Sequence, residues 1–491
     1  MSLSLALDSA LSGLITAQRQ TALASRNIAN ASTPGYVRKE AELEALTIQG
    51  EGRGVAVADI VRRVDRMLQQ DVRRESGLSA ELQAKAQGLA SFTAVIGQPH
   101  EERSISNQIA QLANAFQRLG ESPESAVIQH SVVGAAQNVA RSLNQLAGEV
   151  KQQREAADQA IFDSVGRVNQ TLDDVAKINR ELSVSAGGNR DVTDLLDQRD
   201  KLLDSLSEEL GITTLIRGDG QAMVLTEGGT TLLDGTKVNY LSFTTTTQIG
   251  ATVSYNGGAG ALSGITVNGV DIAPGSGYSG AIRSGRIAGQ FALRDTILPQ
   301  AQTQIDEIAS TLADGFQRFD ASVGAGQSGL FTDGGAAHDR SDPAQVLGLS
   351  ERIAVNALVD PDQGGSLWRI RDGVQAATPG APGDATQVRA FLDVFDETVT
   401  FSAAAGLQTS ARIGSYATEF VGFQGNQRAA FEDRSSYQNS VTESLSTQRN
   451  NLEGVNVDDE LQKMLLFEQT YNASARVIQT VRDMMDALMA I

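Results

Sequence analysis

Small and apolar residues recur in alternating steps of four and three from Leu3 through Leu7, Ala10, Leu14, Ala17, Thr21, Ala24 and Ile28 to Ala31. A second stripe with a similar rhythm runs through Val457, Leu461, Met464, Phe467, Tyr471, Ser474, Ile478, Val481, Met485 and Leu488. An average spacing near 3.5 residues lines each set along one side of an α-helix, as in the seam of a coiled coil. Leu11 and Ile15 widen the first stripe. About 28 residues of helix span roughly 42 Å at 1.5 Å per residue. The first stripe is built largely of Ala, Ser and Thr, so an isolated pair of these helices buries little area. At about 25 cal/mol per Å² such a pair is marginal. The expectation is that both helices are loosely ordered in the free monomer and become ordered against other copies or partners.

Between the stripes the pattern changes several times. Thr33-Pro34-Gly35-Tyr36 reads as a type II turn, with proline fixing φ at its second position and glycine supplying positive φ at its third. Residues 40–61 alternate around several glycines and predict an extended or hairpin segment. Helical periodicity resumes at Val64, Leu68 and Val72 and continues with interruptions to Phe116 and Leu119. A second long helix is predicted over 125–185, its seam of Ile161, Val165, Val168, Leu172, Val175 and Leu182 broken only at Asn179. After a break at Gly187-Gly188, an amphipathic helix runs to Gly211. Its carboxylates, with Arg199 and Lys201 nearby, read as a solvated, salt-bridged face.

Composition shifts to Gly and Thr from 212 to 284, with strand-like runs ITTLI, KVNYLSFTTTT and GITVNGVDI between turn signals. Helix returns near Ile287, residues 320–385 read as loop with a minor strand at RIAVNALV, and helix resumes near 386. Asn456 is a candidate N-cap, with Asp458, Asp459 and Glu460 placing negative charge in the first turn of the last helix. The chain therefore reads as mainly α with an inserted β domain. Its predicted parts are residues 1–60, an N-terminal helix and extended connector; 61–211, the first part of a long-helix bundle; 212–284, the β-rich insert; 285–450, the second helical part; and 451–491, the C-terminal helix. Only 5% of residues are aromatic, and alanine-rich apolar content suits long slender helices and an elongated molecule.

A formal charge of -19 with no offsetting Lys/Arg cluster argues against nucleic acid and membrane surfaces as partners. The chain has no cysteine, which removes disulfides, thiol nucleophiles and thiolate metal sites. The first residues lack the basic, apolar and cleavage regions of a secretory signal, so export would use a route that reads an uncleaved N-terminus. No run of 18 apolar residues predicts a membrane span. Catalytic, cofactor and metal sites are expected to be absent. His100, His130 and His338 lie far apart among polar neighbours and read as surface residues. Gly275 to Gly280 matches G-x-G-x-x-G without a surrounding βαβ unit.

The pattern Asn27, Asn30, Thr33, Gly35 and Tyr36 at one end, with GVNVDDELQKMLLFEQTYNASARVIQTVRDMMDALMAI at the other, resembles the rod, hook and hook-associated axial proteins of the bacterial flagellum. Pro34, LLDQRDKLLDSLSEELG at 195–211 and RIAVNALV at 352–359 point to the hook-associated members at the hook–filament junction. The resemblance implies terminal helices pairing as an innermost coiled coil, a helical middle domain built from both chain halves and an outward β domain. It also implies a structural junction adaptor that is not an enzyme. The assembly surfaces would be Leu3, Leu7, Leu11, Leu14 and Ile28 on the first helix and the Val457 to Leu488 stripe on the last. The partners implied are further copies of the chain in a ring, the hook protein, the second junction protein and an export chaperone on the C-terminal helix. The setting implied is extracellular, reached through the flagellar type III apparatus without cleavage. The rival readings are a hook or distal-rod protein, and an exported enzyme on an axial-protein scaffold.

Overall fold

The computed structural model describes residues 3–48, 51–185, 191–257 and 260–489; the expected break at Gly187-Gly188 lies outside them. In chain order its main elements are α1 (Leu3–Ala29), β1 (Lys39–Ile48), β2 (Glu51–Arg62), α2 (Arg66–Ile96), α3 (Ile105–Glu121), α4 (Ala126–Ser185) and α5 (Thr193–Glu209). Short strands β3 (Ile212–Ile216), β4 (Ala222–Thr226), β5 (Thr231–Asp234), β6 (Lys237–Val238), β7 (Leu241–Ser242), β8 (Thr266–Val267) and β9 (Val270–Asp271) follow. Then come α6 (Arg286–Ala292), a π-helical segment Leu293–Ile297, α7 (Leu298–Arg318), β10 (Phe331–Asp333) and β11 (Ile353–Val355). The chain closes with α8 (Thr386–Asp396), α9 (Ile413–Glu453) and α10 (Val457–Met489). The protein is mainly helical with some β structure and long terminal helices.

Two compact units share these elements: residues 1–79, 167–240 and 438–491 form one, and residues 80–166 and 241–437 the other. The Gly- and Thr-rich stretch 212–284 is divided, with β3–β6 in the first unit and β7–β9 in the second.

In the first unit α1 and α10 pair antiparallel. Asn27 meets Glu460 and Ser25 approaches the Met464 sulfur. A Cβ on Gly13 would stand 3.1 Å from the Ser474 hydroxyl, so the backbones come close at that crossing. β1 and β2 form an antiparallel ribbon from Lys39↔Arg62 to Ile48↔Glu51, with register shifts at Glu42/Leu43 and Leu46/Thr47. The edge of β2 lies on α1, where Thr16 Oγ1 donates to the Val55 carbonyl at 3.0 Å and Val55 N donates to Ser12 Oγ at 3.2 Å. Gly54, at φ +121°, makes this approach possible, because any Cβ there would collide with Ser12. β3–β6 form a four-stranded antiparallel sheet in sequential order. Asn179 interrupts the apolar seam of α4 for a physical reason. Its amide donates to the carbonyls of Ala222 (2.8 Å) and Gly235 (2.7 Å) and accepts from Ala222 N (2.9 Å), fixing the sheet to the helix.

The second unit is organised around α7, which is almost wholly buried. Phe316 stacks on Phe116 at 5.3 Å and meets Phe391 and Phe331 at 5.4 and 5.5 Å. Leu89, Phe92, Ile109, Leu143, Tyr416 and Phe420 extend this core. The wide turn of the π segment carries the fully buried Arg294, which pairs with Asp158 at 2.6 Å and Asp295 at 2.8 Å, 4.6 Å from the Phe291 ring centre. Buried Arg154 donates to the carbonyls of Arg294, Gly250 and Val253. The run KVNYLSFTTTT pairs only at β6 and β7; beyond them Thr246 N donates to Asp158 at 2.8 Å rather than to a strand. In RIAVNALV the strand stops at Val355, because the Asn356 side chain caps a 3-10 turn through Leu358 N.

His338 corrects the expectation of surface histidines. It is 2% exposed, and its Nε2 shares a 2.8 Å hydrogen bond with Ser310. Burial lowers its pKa and keeps the ring neutral.

Candidate assembly site

Of the residues singled out at the end of the first helix, Tyr36 meets the side chain of Asn27, which is 1% exposed. Its Nδ2 donates to the Lys39 carbonyl (2.9 Å) and to Glu460 Oε2 (3.0 Å). Its Oδ1 accepts from Tyr36 Oη (2.9 Å) and Lys39 N (3.2 Å). The Lys39 backbone offers one donor and one acceptor, so it fixes which way the amide points. One side chain thus ties α1, the connector, β1 and α10 together. Glu460 is itself buried and pairs with Lys463 at 3.0 Å.

Asn30 closes the helix locally, its Nδ2 donating to the Arg26 carbonyl and its Oδ1 accepting from Thr33 Oγ1. The turn that follows has the type II features read from its residues: Tyr36 N donates to the Thr33 carbonyl at 3.2 Å, and Gly35 has φ +81°. Thr33, Pro34 and Gly35 are exposed, while Tyr36 turns inward and burial pushes its hydroxyl up to about 12. The Lys39 ammonium sits 4.6 Å over the Tyr36 ring and pairs with Asp194 and Asp197.

Beneath the turn lies a charge network that the sequence placed on a solvated face. The helix is salt-bridged as expected, but inward. Arg62 pairs with Asp197 (2.8 Å) and Asp200 (2.7 Å), Arg199 with Asp200 (2.6 Å), and Arg73 and Arg449 with Asp204 (2.7 and 2.9 Å). Asp197 and Asp200 are both buried. Burial raises the Asp197 carboxyl despite Arg62 and Lys39, whereas at Asp200 the opposing burial is outweighed by Arg199, Arg62 and Arg73, which hold it low. Such a cluster is costly to desolvate and costlier to break, so it fixes how these elements meet. Glu453, at the end of α9, accepts from Asp65 N at 2.9 Å, and its carbonyl accepts from Arg38 N at 2.7 Å.

The stripes divide in the structure. On α1, Ala10, Ala17 and Ala24 are buried, Leu3, Leu7, Leu14 and Ile28 half-buried, and Leu11 49% exposed. On α10, Val481 is buried and Met464, Phe467 and Ile478 are half-buried. Val457, Leu461, Tyr471, Met485 and Leu488 remain exposed. Sequence reasoning missed a further exposed set, Leu465, Leu466, Val477 and Met484, which lies off the main stripe. It also missed Lys39 and Glu460 as partners of Asn27. Glu460 carries a local signal only as a first-turn acid, and its partner is 433 residues away. Asn456 caps α10 as read, accepting from Asp458 N and Asp459 N. Among the described residues no group of three or more His, Asp or Glu side chains could hold a metal ion, and no helix is long and apolar enough to cross a membrane.

Three family descriptions match this chain: flagella basal body rod protein over residues 7–36, the helical domain of flagellar hook-associated protein FlgK over 91–329, and the C-terminal region of flagellar basal body rod FlgEFG proteins over 448–491. Flagellar hook-associated protein 1 of Escherichia coli (strain K12) is 23% identical, covering 99% of both chains. The protein of that name from Bacillus subtilis (strain 168) is 22% identical, covering 98% of both. The solved flagellar hook junction protein FlgK from Burkholderia pseudomallei shares 20% identity with a TM-score of 0.44, over 54% of this chain and 47% of that one. Rod-type sequences at both ends, closed on each other around Asn27, define a structural axial protein of the flagellum. Within that class the chain belongs to the flagellar hook-associated protein 1 (FlgK) family.

Proposed function

We propose that this protein is the first hook–filament junction adaptor, a short ring of copies whose terminal helices stack on the hook and on each other. The observation that carries the reading is the state of α10. Its pairing with α1 leaves Leu461, Leu465, Leu466, Val477, Met484 and Leu488 uncovered in the single chain. So much exposed apolar surface along one helix marks an interface. The relatives that match the chain end to end are named as hook-associated proteins. In this reading the terminal stripes form an axial coiled coil in the assembled tube, and the body faces outward. The hook protein lies on one side, the second junction protein on the other, and an export chaperone covers α10 before assembly. The chain travels uncleaved through the flagellar type III apparatus to the outside of the cell.

Deleting the gene in its host tests the role. The expected outcome is hooks without filaments and flagellin shed into the medium, restored by the full chain and not by a chain lacking 1–32 and 457–491. Intact filaments in the deletion strain refute the proposal.

A further inference from the structure

A cleft of about 470 Å³ opens between α1 and the β1–β2 ribbon, lined on α1 by Arg19, Ala22, Leu23 and Arg26, whereas α1 meets α10 through Gly13, Ser25 and Asn27. Leu23, Ala41, Val57 and Ile60 give it apolar walls. At one end Arg26 is neutralised by Asp191 at 2.8 Å. Asp59 on the ribbon accepts from Ile60 N at 2.8 Å. Arg19, two helical turns before Arg26, is exposed and has no hydrogen-bond or ion-pair partner among the described residues. The cleft thus has apolar walls bounded by charge: the closed Arg26–Asp191 pair at one end, Asp59 on the ribbon, and Arg19 on α1 with no partner among the described residues.

The chain also carries a matching shape. On α10, Leu461 and Leu465 lie one turn apart on the same side, 41% and 58% exposed. Glu468, the next residue along that side, is exposed and has no partner among the described residues. From Leu461 to Glu468 is seven residues, as from Arg26 to Arg19, so both spans are about 10 Å. The same molecule's α10 does not present these residues to the cleft; it meets α1 through Glu460, Met464 and Ser474.

We propose that the cleft between α1 and the ribbon receives Leu461 and Leu465 of a second copy of this chain, with Glu468 of that copy pairing with Arg19. The inference rests on the assembly role proposed above and adds the contact that sets the register between neighbours. The incoming helix runs antiparallel to α1, with Leu461 toward the closed Arg26–Asp191 end. Opposite charge fixes the direction, and two leucines fill an otherwise wetted apolar slot.

The absence of cysteine makes the contact directly testable. Chains carrying Ala58→Cys and chains carrying Leu465→Cys are mixed, added to purified hooks and oxidised mildly. Only a contact between copies can link them. The expected result is a disulfide dimer at least tenfold more abundant than with Ala58→Cys and Thr480→Cys, whose second cysteine is exposed farther along α10. In a second arm, with both substitutions at exposed charges, Arg19→Glu and Glu468→Arg each lower the docked fraction about tenfold, and the double variant recovers most of it. Docking without the 58–465 link, or reversals that do not rescue each other, overturns this contact and leaves the adaptor role standing. Failure of the unmodified chain to dock on hooks overturns the adaptor role and this contact with it.

Discussion

Asn27→Ala is the sharpest probe of how the ends of this chain are held together. The substitution removes both hydrogen bonds to the Lys39 backbone and one each to Tyr36 and Glu460. Tyr36 is half-buried and can turn to water, and Glu460 keeps Lys463. The Lys39 N–H and carbonyl, within a fully buried residue, have no such escape. Orphaning each costs about 1–3 kcal/mol, and a water entering the vacated space recovers part of it. A net loss of about 2–4 kcal/mol corresponds to roughly 30- to 700-fold more frequent local opening. Hydrogen exchange read at the Lys39 amide and through the first turns of α10 measures that opening site by site, which a global melt of a two-unit chain does not. Asn27→Asp keeps the two acceptors, loses both donors and sets a carboxylate against Glu460, so it opens the site at least as far. Exchange rates within threefold of the unmodified protein in the alanine variant would refute the account of Asn27 as the tie between these elements.

Four further outcomes are expected. Gly54→Ala, which drives a Cβ into Ser12 at a positive φ, lifts the ribbon from α1 at a cost of more than about 2 kcal/mol and exposes residues 39–62 to limited proteolysis. Arg294→Leu leaves Asp158 and Asp295 without their guanidinium partner in the interior, costing about 3–5 kcal/mol in denaturant unfolding of the second unit. Burial pushes the Asp306 carboxyl up to about 6 from 3.8. The folded form therefore binds the extra proton in that window, and this group's contribution to stability rises as pH falls from 6 toward 4, by up to about 3 kcal/mol; Asp306→Asn removes that slope from thermal unfolding curves. His338 runs the other way, because its depressed pKa means that acid below pH 6.5 favours the unfolded chain. Its ring protons in an NMR titration should move at lower pH than those of a free histidine.

What could be read from the residues was whatever announces itself locally. The stripe from Leu3 to Ile28, the seam of α4 and the Asn456 cap all concern neighbours within a turn or two, and the structure shows helices and a cap there. The turn at Thr33 to Tyr36 was legible because proline and glycine leave the backbone few choices. The rest depended on partners far along the chain. Asp197 and Asp200 look like any acids on an amphipathic helix until Arg62 and Arg73 arrive to bury them. His338 looks like a loop histidine until Ser310 meets it on α7. A π turn has no periodic signature, and Arg294 gives no hint that its charge is answered inside by Asp158, 136 residues earlier.

The tie between Asn27 and Glu460 also dictates a timetable. A ribosome releases the amide long before the carboxylate that completes its hydrogen bonding, so α1 emerges with partners at Tyr36 and Lys39 in reach and one amide donor left to water. A product cut short before α10 keeps that donor in water and leaves the side of α1 that packs on α10 uncovered. Closure at Asn27 therefore waits until synthesis has run through Glu460, 433 residues later.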